Sequence, residues 1–369
     1  YLVVSNFNST YGFGETVFLN ATDKDGIDVN NVIITIRVYK NDNLVGTYDC
    51  LTNTDWLVDL DAGNYTADMA VEHHAYVLNK PVKITLTIAK MPTNVTSSDV
   101  LTIYNADDYL IATLKDIKGN PVAGVPVSID LNGAANYTTD ENGTVKVSTK
   151  GLDANTYSAA ITFEDNTNYD VSSAAVNVTV AKAATSVSSA AVTTVYNGGK
   201  YLVVTLKDAY GNPISSAKVS ININGAKTVT TGDDGKAKLT TDGYAPKSSY
   251  TAKISFVGNG NYNASSTTAK VTIKKATVKM TAKAKTLKRS DKTKKYTVTL
   301  KDNKNKVMKN TKVTVKVNKK TYTAKTNSKG VATFKLTKLT KKGKYTATVK
   351  YAGSKYYNAK SASVKITIK

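Results

Sequence analysis

A single cysteine, Cys50, stands in the 369 residues. One thiol cannot close an intrachain disulfide, so any small domains here rely on core packing or on some other cross-link. Proline is scarce, with six residues, which excludes a proline-rich linker. No stretch of about 18 apolar residues occurs, so the sequence contains no helical membrane span. The chain neither begins with Met nor opens on a signal peptide, and it reads as a mature protein or an excised piece. The lack of a leader therefore says nothing against secretion. Histidine is limited to His73 and His74. Adjacent residues on a strand point to opposite faces, so the two make no paired ligand set. With one distant cysteine there is neither a zinc signature nor a Ser-His or Cys-His site. No catalytic residue, cofactor or metal is expected, and the chain reads as no enzyme.

Turn formers are plentiful instead. Gly, Asn, Asp, Ser and Thr recur throughout, and the apolar residues are mostly Val, Ile, Ala, Leu and Tyr, which suit pleated strands. Charge is distributed unevenly. The formal net charge is +22, yet residues 276–369 hold 28 Lys and Arg against two acids, Asp291 and Asp302, while residues 1–275 hold 22 basic and 26 acidic residues. A mildly acidic body carrying one strongly basic end is the pattern of an electrostatic contact with something anionic.

A repeat of about 93 residues runs through the chain. TLKD stands at Thr113–Asp116, Thr205–Asp208 and Thr299–Asp302, with Asp23 of NATD in register. Tyr65, Tyr157, Tyr250 and Tyr345 keep the same step, as do Tyr76, Tyr169, Tyr262 and Tyr357. The boundaries that follow are 1–90, 91–182, 183–275 and 276–369, the first repeat divergent and the last lysine-rich. Such a period exceeds that of solenoid units, about 20–50 residues, and matches a β-sandwich of about 100.

Inside the repeats the pattern alternates with period two. Val219, Ile221 and Ile223 share one face and Ser220, Asn222 and Asn224 the other; Val313, Val315 and Val317 repeat the arrangement, as do Tyr345, Ala347, Val349 and Tyr351. One packed face and one solvated face mark antiparallel sheets. KDIKGNP (Lys115–Pro121) and KDAYGNP (Lys207–Pro213) read as turns between strands, and DENG (Asp140–Gly143), DDG (Asp233–Gly235) and NSKG (Asn327–Gly330) as hairpins. Tyr65, Tyr157, Tyr250 and Tyr345, in G-x-Y-T-A-like contexts, suit a tyrosine corner. The junctions near Ala183 and Ala276 leave almost no linker. The expected fold is all-β: four tandem immunoglobulin-like antiparallel β-sandwich domains in an extended rod, reaching roughly 150 Å at ~3.3 Å per strand residue.

The stretch TLKDAYGNPISSAKVSININGA, followed by TTGDDGKAKLTT and SYTAKISFVGNGNYNAS, resembles the bacterial immunoglobulin-like repeat of the group 3, invasin-like kind. It is especially similar to versions in adhesin-like surface proteins of methanogenic archaea. TNSKGVATFKL and KKGKYTATVKYAGSKYYNAKS resemble the lysine-rich repeats near their C-termini. The likeness covers residues 90–369; the first repeat departs from it and holds the only Trp (Trp56), the only Cys and both His. The resemblance implies extracellular display at the cell surface or wall, adhesion or wall structure, and no catalytic residues. Near-absence of cysteine agrees with microbial secretion.

Several constellations carry candidate roles. Lys312 and Lys316 face outward from a strand whose valines point inward, and Lys288, Arg289, Lys319, Lys320, Lys341, Lys342 and Lys344 fall at turns or strand ends. Together they form a candidate basic patch for an anionic cell-wall polymer or glycan. Nucleic acid is the lesser reading, because lysine is a point charge with little base specificity. A host or partner-cell surface ligand, or copies of the chain in a self-assembling layer or filament, are the other partners the sequence allows. Acidic turns at Asp23–Gly26, Asp140–Gly143 and Asp233–Gly235 lack the spacing of an EF-hand calcium loop. Sequons stand at Asn8, Asn20, Asn64, Asn94, Asn136, Asn142, Asn177 and Asn263, about as many as this composition gives by chance. Lys207 with Asn263, and Lys301 with Asn358, are candidate isopeptide pairs; the second repeat has Asp170 in that place.

Overall fold

The computed structural model describes residues 1–71, 78, 80 and 82–369. His73, His74 and Tyr76 lie outside the described residues. Among the described residues every regular element is a strand. The chain forms two compact units, Tyr1–Ala181 and Lys182–Lys369, and each holds two β-sandwiches with separate cores.

The second sandwich illustrates the plan. A three-stranded sheet orders Thr93–Ser97, Tyr109–Asp116 and Thr144–Ser148, and a five-stranded sheet orders Val100–Ile103, Ser172–Ala181, Thr156–Phe163, Pro126–Asp130 and Ala134–Thr138. The third and fourth sandwiches repeat this order. The fourth pairs Lys279–Thr281, Lys295–Lys301 and Val331–Lys335 in one sheet; the other orders Lys285–Leu287, Lys360–Ile368, Gly343–Tyr351, Lys312–Val317 and Lys320–Lys325. The first keeps the five-stranded sheet but reduces the opposite layer to two short pairs, Leu2–Val3 with Asn20–Ala21 and Thr16–Phe18 with Asp55–Leu57.

Alternation along the strands explains the layers. Lys312–Val317 buries Val313, Val315 and Val317 and exposes Lys312 and Lys316. Fully burying each valine contributes about 1.5–3 kcal/mol before entropy is counted. The fourth core closes over these valines with Tyr296, Val298, Leu300, Phe334, Val349 and Ile366.

Two details differ from the sequence reading. Among the described residues the strand ladders are antiparallel except for one in each sandwich; in the second, Val100–Ile103 runs parallel to the last strand, Val100 beside Val178 and Ile103 beside Ala181, and isolated parallel bridges join Met91 to Tyr169, Ala183 to Tyr262 and Ala276 to Tyr357. The first strand segment is split, its leading half in the three-stranded sheet and its trailing half crossing to the five-stranded one. The segments read as hairpins at Asp140–Gly143, Asp233–Gly235 and Asn327–Gly330 instead carry the chain from one sheet to the other: Ala134–Thr138 lies in the five-stranded sheet and Thr144–Ser148 in the three-stranded one. A buried threonine anchors each crossing, Thr139, Thr231 or Thr326. The Thr231 hydroxyl accepts from Ala217 N at 2.9 Å and donates to Ile214 O at 2.7 Å. The hairpins proper lie one turn earlier, as at Val317–Lys320, where Asn318 and Lys319 both take positive φ, the type I′ geometry that matches strand twist.

Each TLKD aspartate organises the turn after it. Asp208 is buried; its Oδ1 accepts from Tyr210 N and Asn212 N, and its Oδ2 from Asn212 Nδ2. Asp116 and Asp302 do likewise with their own loops.

Within the first unit, Asn168 bridges its two sandwiches, accepting from Ala62 N and donating to Asp61 Oδ1. Lys118 donates to Gly12 O at 2.8 Å and lies over the Phe13 ring. Within the second unit, Asn303 Nδ2 donates to the carbonyls of Tyr196 and Asn197, Lys304 pairs with Asp242, and Tyr196 stacks on Tyr356 with centroids 4.5 Å apart.

Candidate functional site

The fourth sandwich is a cationic surface on a neutral core. Lys288, Arg289, Lys312, Lys316, Lys319, Lys320, Lys341, Lys342 and Lys344 are all exposed. The structure does not gather them into one patch. Arg289 N donates to Lys369 O, Gly343 lies beside Ile368, and Val317 beside Ala347. Lys288, Arg289, Lys319, Lys320, Lys341, Lys342 and Lys344 therefore collect at the end opposite the contact with Tyr196 and Asn197. Lys316 and Lys312 lie on the outer face of the five-stranded sheet, Lys312 towards the other end.

Register reveals lysine pairings that sequence reasoning passed over. Lys312 is directly opposite Lys325, Lys295 opposite Lys335, and Lys279 opposite Lys301. Alternation in KYTVTLK and VATFK shows that these lysines face out, but their partners are set by strand pairing. Like charges placed directly opposite destabilise a sheet. Almost nothing offsets them. Asp302 is buried with Oδ1 accepting from the amides of Lys304 and Lys306, and Asp291 Oδ2 accepts from Lys288 N. Among the described residues, Lys304 is the basic group of this sandwich with a carboxylate within 4.0 Å, that of Asp242 in the preceding sandwich. The Lys304 ammonium holds the Asp242 carboxyl below its ordinary range through a hydrogen bond.

Lys294 was also missed. It is buried, and its ammonium caps the carbonyls of Arg289 and Asp291, each at 3.0 Å. It is a brace for the 288–291 turn rather than a surface charge.

The same outer face differs between sandwiches. In the second, Tyr109 and Ile111 are exposed on the central strand of the three-stranded sheet; in the third, Tyr201 and Val203 occupy those places and line a shallow groove of about 620 Å³ with Val192 and Lys238. In the fourth the positions are Lys295 and Thr297.

The corner tyrosines each bond backwards along the chain. The hydroxyls of Tyr65, Tyr157, Tyr250 and Tyr345 donate to the carbonyls of Asp61, Asp153, Ala245 and Lys341, at 2.8–3.0 Å. Of the remaining candidates, the Asn263 and Asn358 amides donate to the carbonyls of Lys182 and Lys275, while Lys207 and Lys301 stand exposed. The Asp23 carboxylate accepts from Asp25 N and Ile27 N, the work of a turn cap. All eight sequon asparagines are exposed. Cys50 is half-buried on the edge strand Asn43–Leu51, and burial followed by the Asp49 charge pushes its thiol up. Among the described residues no group of three or more His, Cys, Asp or Glu is placed to hold a metal ion.

No family model matches the chain. Among solved structures it is similar to a 1.5-MDa bacterial ice-binding adhesin described for host cell surface retention, at 15% identity over 76% of this chain and 100% of that one, TM-score 0.27. It is similar to a Ca²⁺-stabilized adhesin with which an Antarctic bacterium binds ice, at 17% identity over 100% of both chains, TM-score 0.24. It is also similar to immunoglobulin domains 1–5 of Sidekick-1, at 12% identity over 100% of this chain and 81% of that one, TM-score 0.33. Likeness this loose carries no activity across, because β-sandwiches host many unrelated functions.

Proposed function

We infer that the chain is a non-enzymatic, extracellular segment of an adhesin-like cell-surface stalk. It is built from four domains near 1–90, 91–182, 183–275 and 276–369, and its basic last domain contacts an anionic cell-wall polymer. The observation that carries this is the charge partition: 28 basic residues against two acids in the last 94 residues, with both acids committed to turn hydrogen bonds. In this reading the first three domains act as spacers, the divergent first one meets a host or partner-cell surface ligand, and the wall is that of an archaeon of the methanogen kind. The full chain should sediment with isolated wall material at low salt and be released as salt rises, since exposed charges are screened within about 10 Å at 0.1 M. Failure to sediment at any salt would remove the reading.

The edge strand Asn43–Leu51 favours a second partner, further copies of the chain. It is nine residues long and exposes Leu44, Val45 and Leu51, whereas the corresponding edge Lys320–Lys325 is guarded by lysine at both ends. Long unguarded edges pair with other strands. Replacing Thr47 with Lys should lower any self-association seen by sedimentation velocity.

A further inference from the structure

The outer face of the fourth sandwich's three-stranded sheet has an order of its own. Its central strand presents Lys295, Thr297, Thr299 and Lys301 outward, between buried Tyr296, Val298 and Leu300. Lys335 lies opposite Lys295 and Thr333 opposite Thr297 on one side; Lys279 lies opposite Lys301 and Thr281 opposite Thr299 on the other. Two lysine pairs thus bracket a band of threonine hydroxyls. Lys301 lies six residue steps along the strand from Lys295, about 20 Å at ~3.3 Å each. Lys285 Nζ donates to Lys295 O at 2.9 Å, adding a third ammonium at that end, and Lys279 Nζ donates to Asn305 Oδ1 at 2.7 Å, which steadies it beside Lys301. Among the described residues of this sandwich, the two acids lie elsewhere, Asp302 buried and Asp291 in the 288–291 turn.

We propose that this face is the seat of the polymer: a lysine–threonine ladder that takes one linear polyanion along the strand direction, and whose occupancy stabilises the sandwich. The proposal rests on the reading of the last domain as a contact for an anionic wall polymer and narrows it to four lysines. Cross-strand side chains start about 5 Å apart, so each pair converges on one anionic group with its two ammoniums. A small anion satisfies one pair; a chain longer than about 20 Å satisfies both, and the second contact is made at high effective concentration. The hydroxyl band suits a polymer that displays hydroxyls between its charges. Nucleic acid is the poorer occupant: single strands bind by stacking bases on aromatic rings, and the tyrosine of the second and third sandwiches, Tyr109 and Tyr201, is here Lys295. Opposed lysines weaken the empty sheet, and a ligand that binds only the folded state restores what they remove.

The test uses the full chain with two probes, inorganic pyrophosphate and long-chain inorganic polyphosphate, across a salt series. The ladder variant combines Lys279→Gln, Lys295→Gln, Lys301→Gln and Lys335→Gln. An equal-charge control carries Lys309→Gln, Lys329→Gln, Lys338→Gln and Lys360→Gln. Long polyphosphate should bind the native chain at least about 100-fold more tightly than pyrophosphate. The ladder variant should lose that advantage, with the slope of log K against log salt shallower by about 3, while the control stays within a few-fold of native. Without polymer at low salt, the ladder variant should melt above the native chain and gain nothing on adding polyphosphate. Equal losses in both variants would overturn the ladder while leaving a diffuse basic contact standing. Native protein that binds neither polyphosphate nor wall material would instead overturn the wall reading itself. Single-stranded DNA of matched length binding as tightly as polyphosphate would also count against the ladder, since it predicts discrimination.

Discussion

Gly143 shows how far single residues fix this fold. Its φ is +69°, and a Cβ there would lie 2.3 Å from the Leu114 carbonyl oxygen, whose amide in turn donates to Gly143 O. Gly143→Ala should destabilise the second sandwich by at least about 2 kcal/mol in urea unfolding. Gly119→Ala, also at positive φ but facing open space, should lose only about 1 kcal/mol. Tyr357 offers a titration test. Burial first, then Asp302, Tyr196 and Tyr351, push its hydroxyl up to about 12 from an ordinary 10.0. A raised pKa contributes stability that is complete below pH ~10 and is lost as pH rises towards ~12. The readout is therefore the difference between native protein and Tyr357→Phe, and the native chain should lose more stability than the variant across that window. The glycine and tyrosine positions are legible in the sequence because their spacing repeats. The buried role of Lys294 is not, because nothing in TKKY separates a capping ammonium from its neighbours.

Strands read well and their pairings poorly. Val219 and Ile221, or Val313 and Val315, announce their buried face through alternation, and the sheets contain them as such. The crossing at Asp140–Gly143 looked like a hairpin because its turn residues are those of a hairpin; a buried threonine and a carbonyl received by Leu114 send the chain to the other sheet instead. Val100–Ile103 is too short for its sequence to say which sheet it joins. Lysine pairing suffered most, since Lys312 and Lys325, or Lys295 and Lys335, become neighbours only through register. That register yields a prediction: Lys325→Glu places a carboxylate opposite Lys312 and should raise the stability of the fourth sandwich by about 1 kcal/mol at low salt. The gain should shrink in high salt, as measured by thermal unfolding.

Across the whole chain, charge separates one sandwich from the other three. Residues 1–182 hold 11 basic and 22 acidic residues, residues 183–275 hold 11 and four, and residues 276–369 hold 28 and two. Added salt should therefore raise the melting of the fourth sandwich the most, because its self-repulsion is the largest and is screened. Differential scanning calorimetry at several ionic strengths would show one transition shifting further than the others, and a uniform shift of all transitions would contradict the charge partition. The parallel pairing that interrupts each antiparallel sandwich bears on a different property. Because Val100–Ile103 enters beside Ser172–Ala181 and both run the same way, tension applied through the two ends of the sandwich drags these strands past each other lengthwise. Their backbone hydrogen bonds are then loaded together in shear rather than unzipped one by one. The equivalent pairs Phe7–Thr10 with Val82–Ala89, Val192–Val195 with Ser265–Lys274, and Lys285–Leu287 with Lys360–Ile368 repeat the arrangement, so in each sandwich a pull along the chain would load a parallel pair lengthwise.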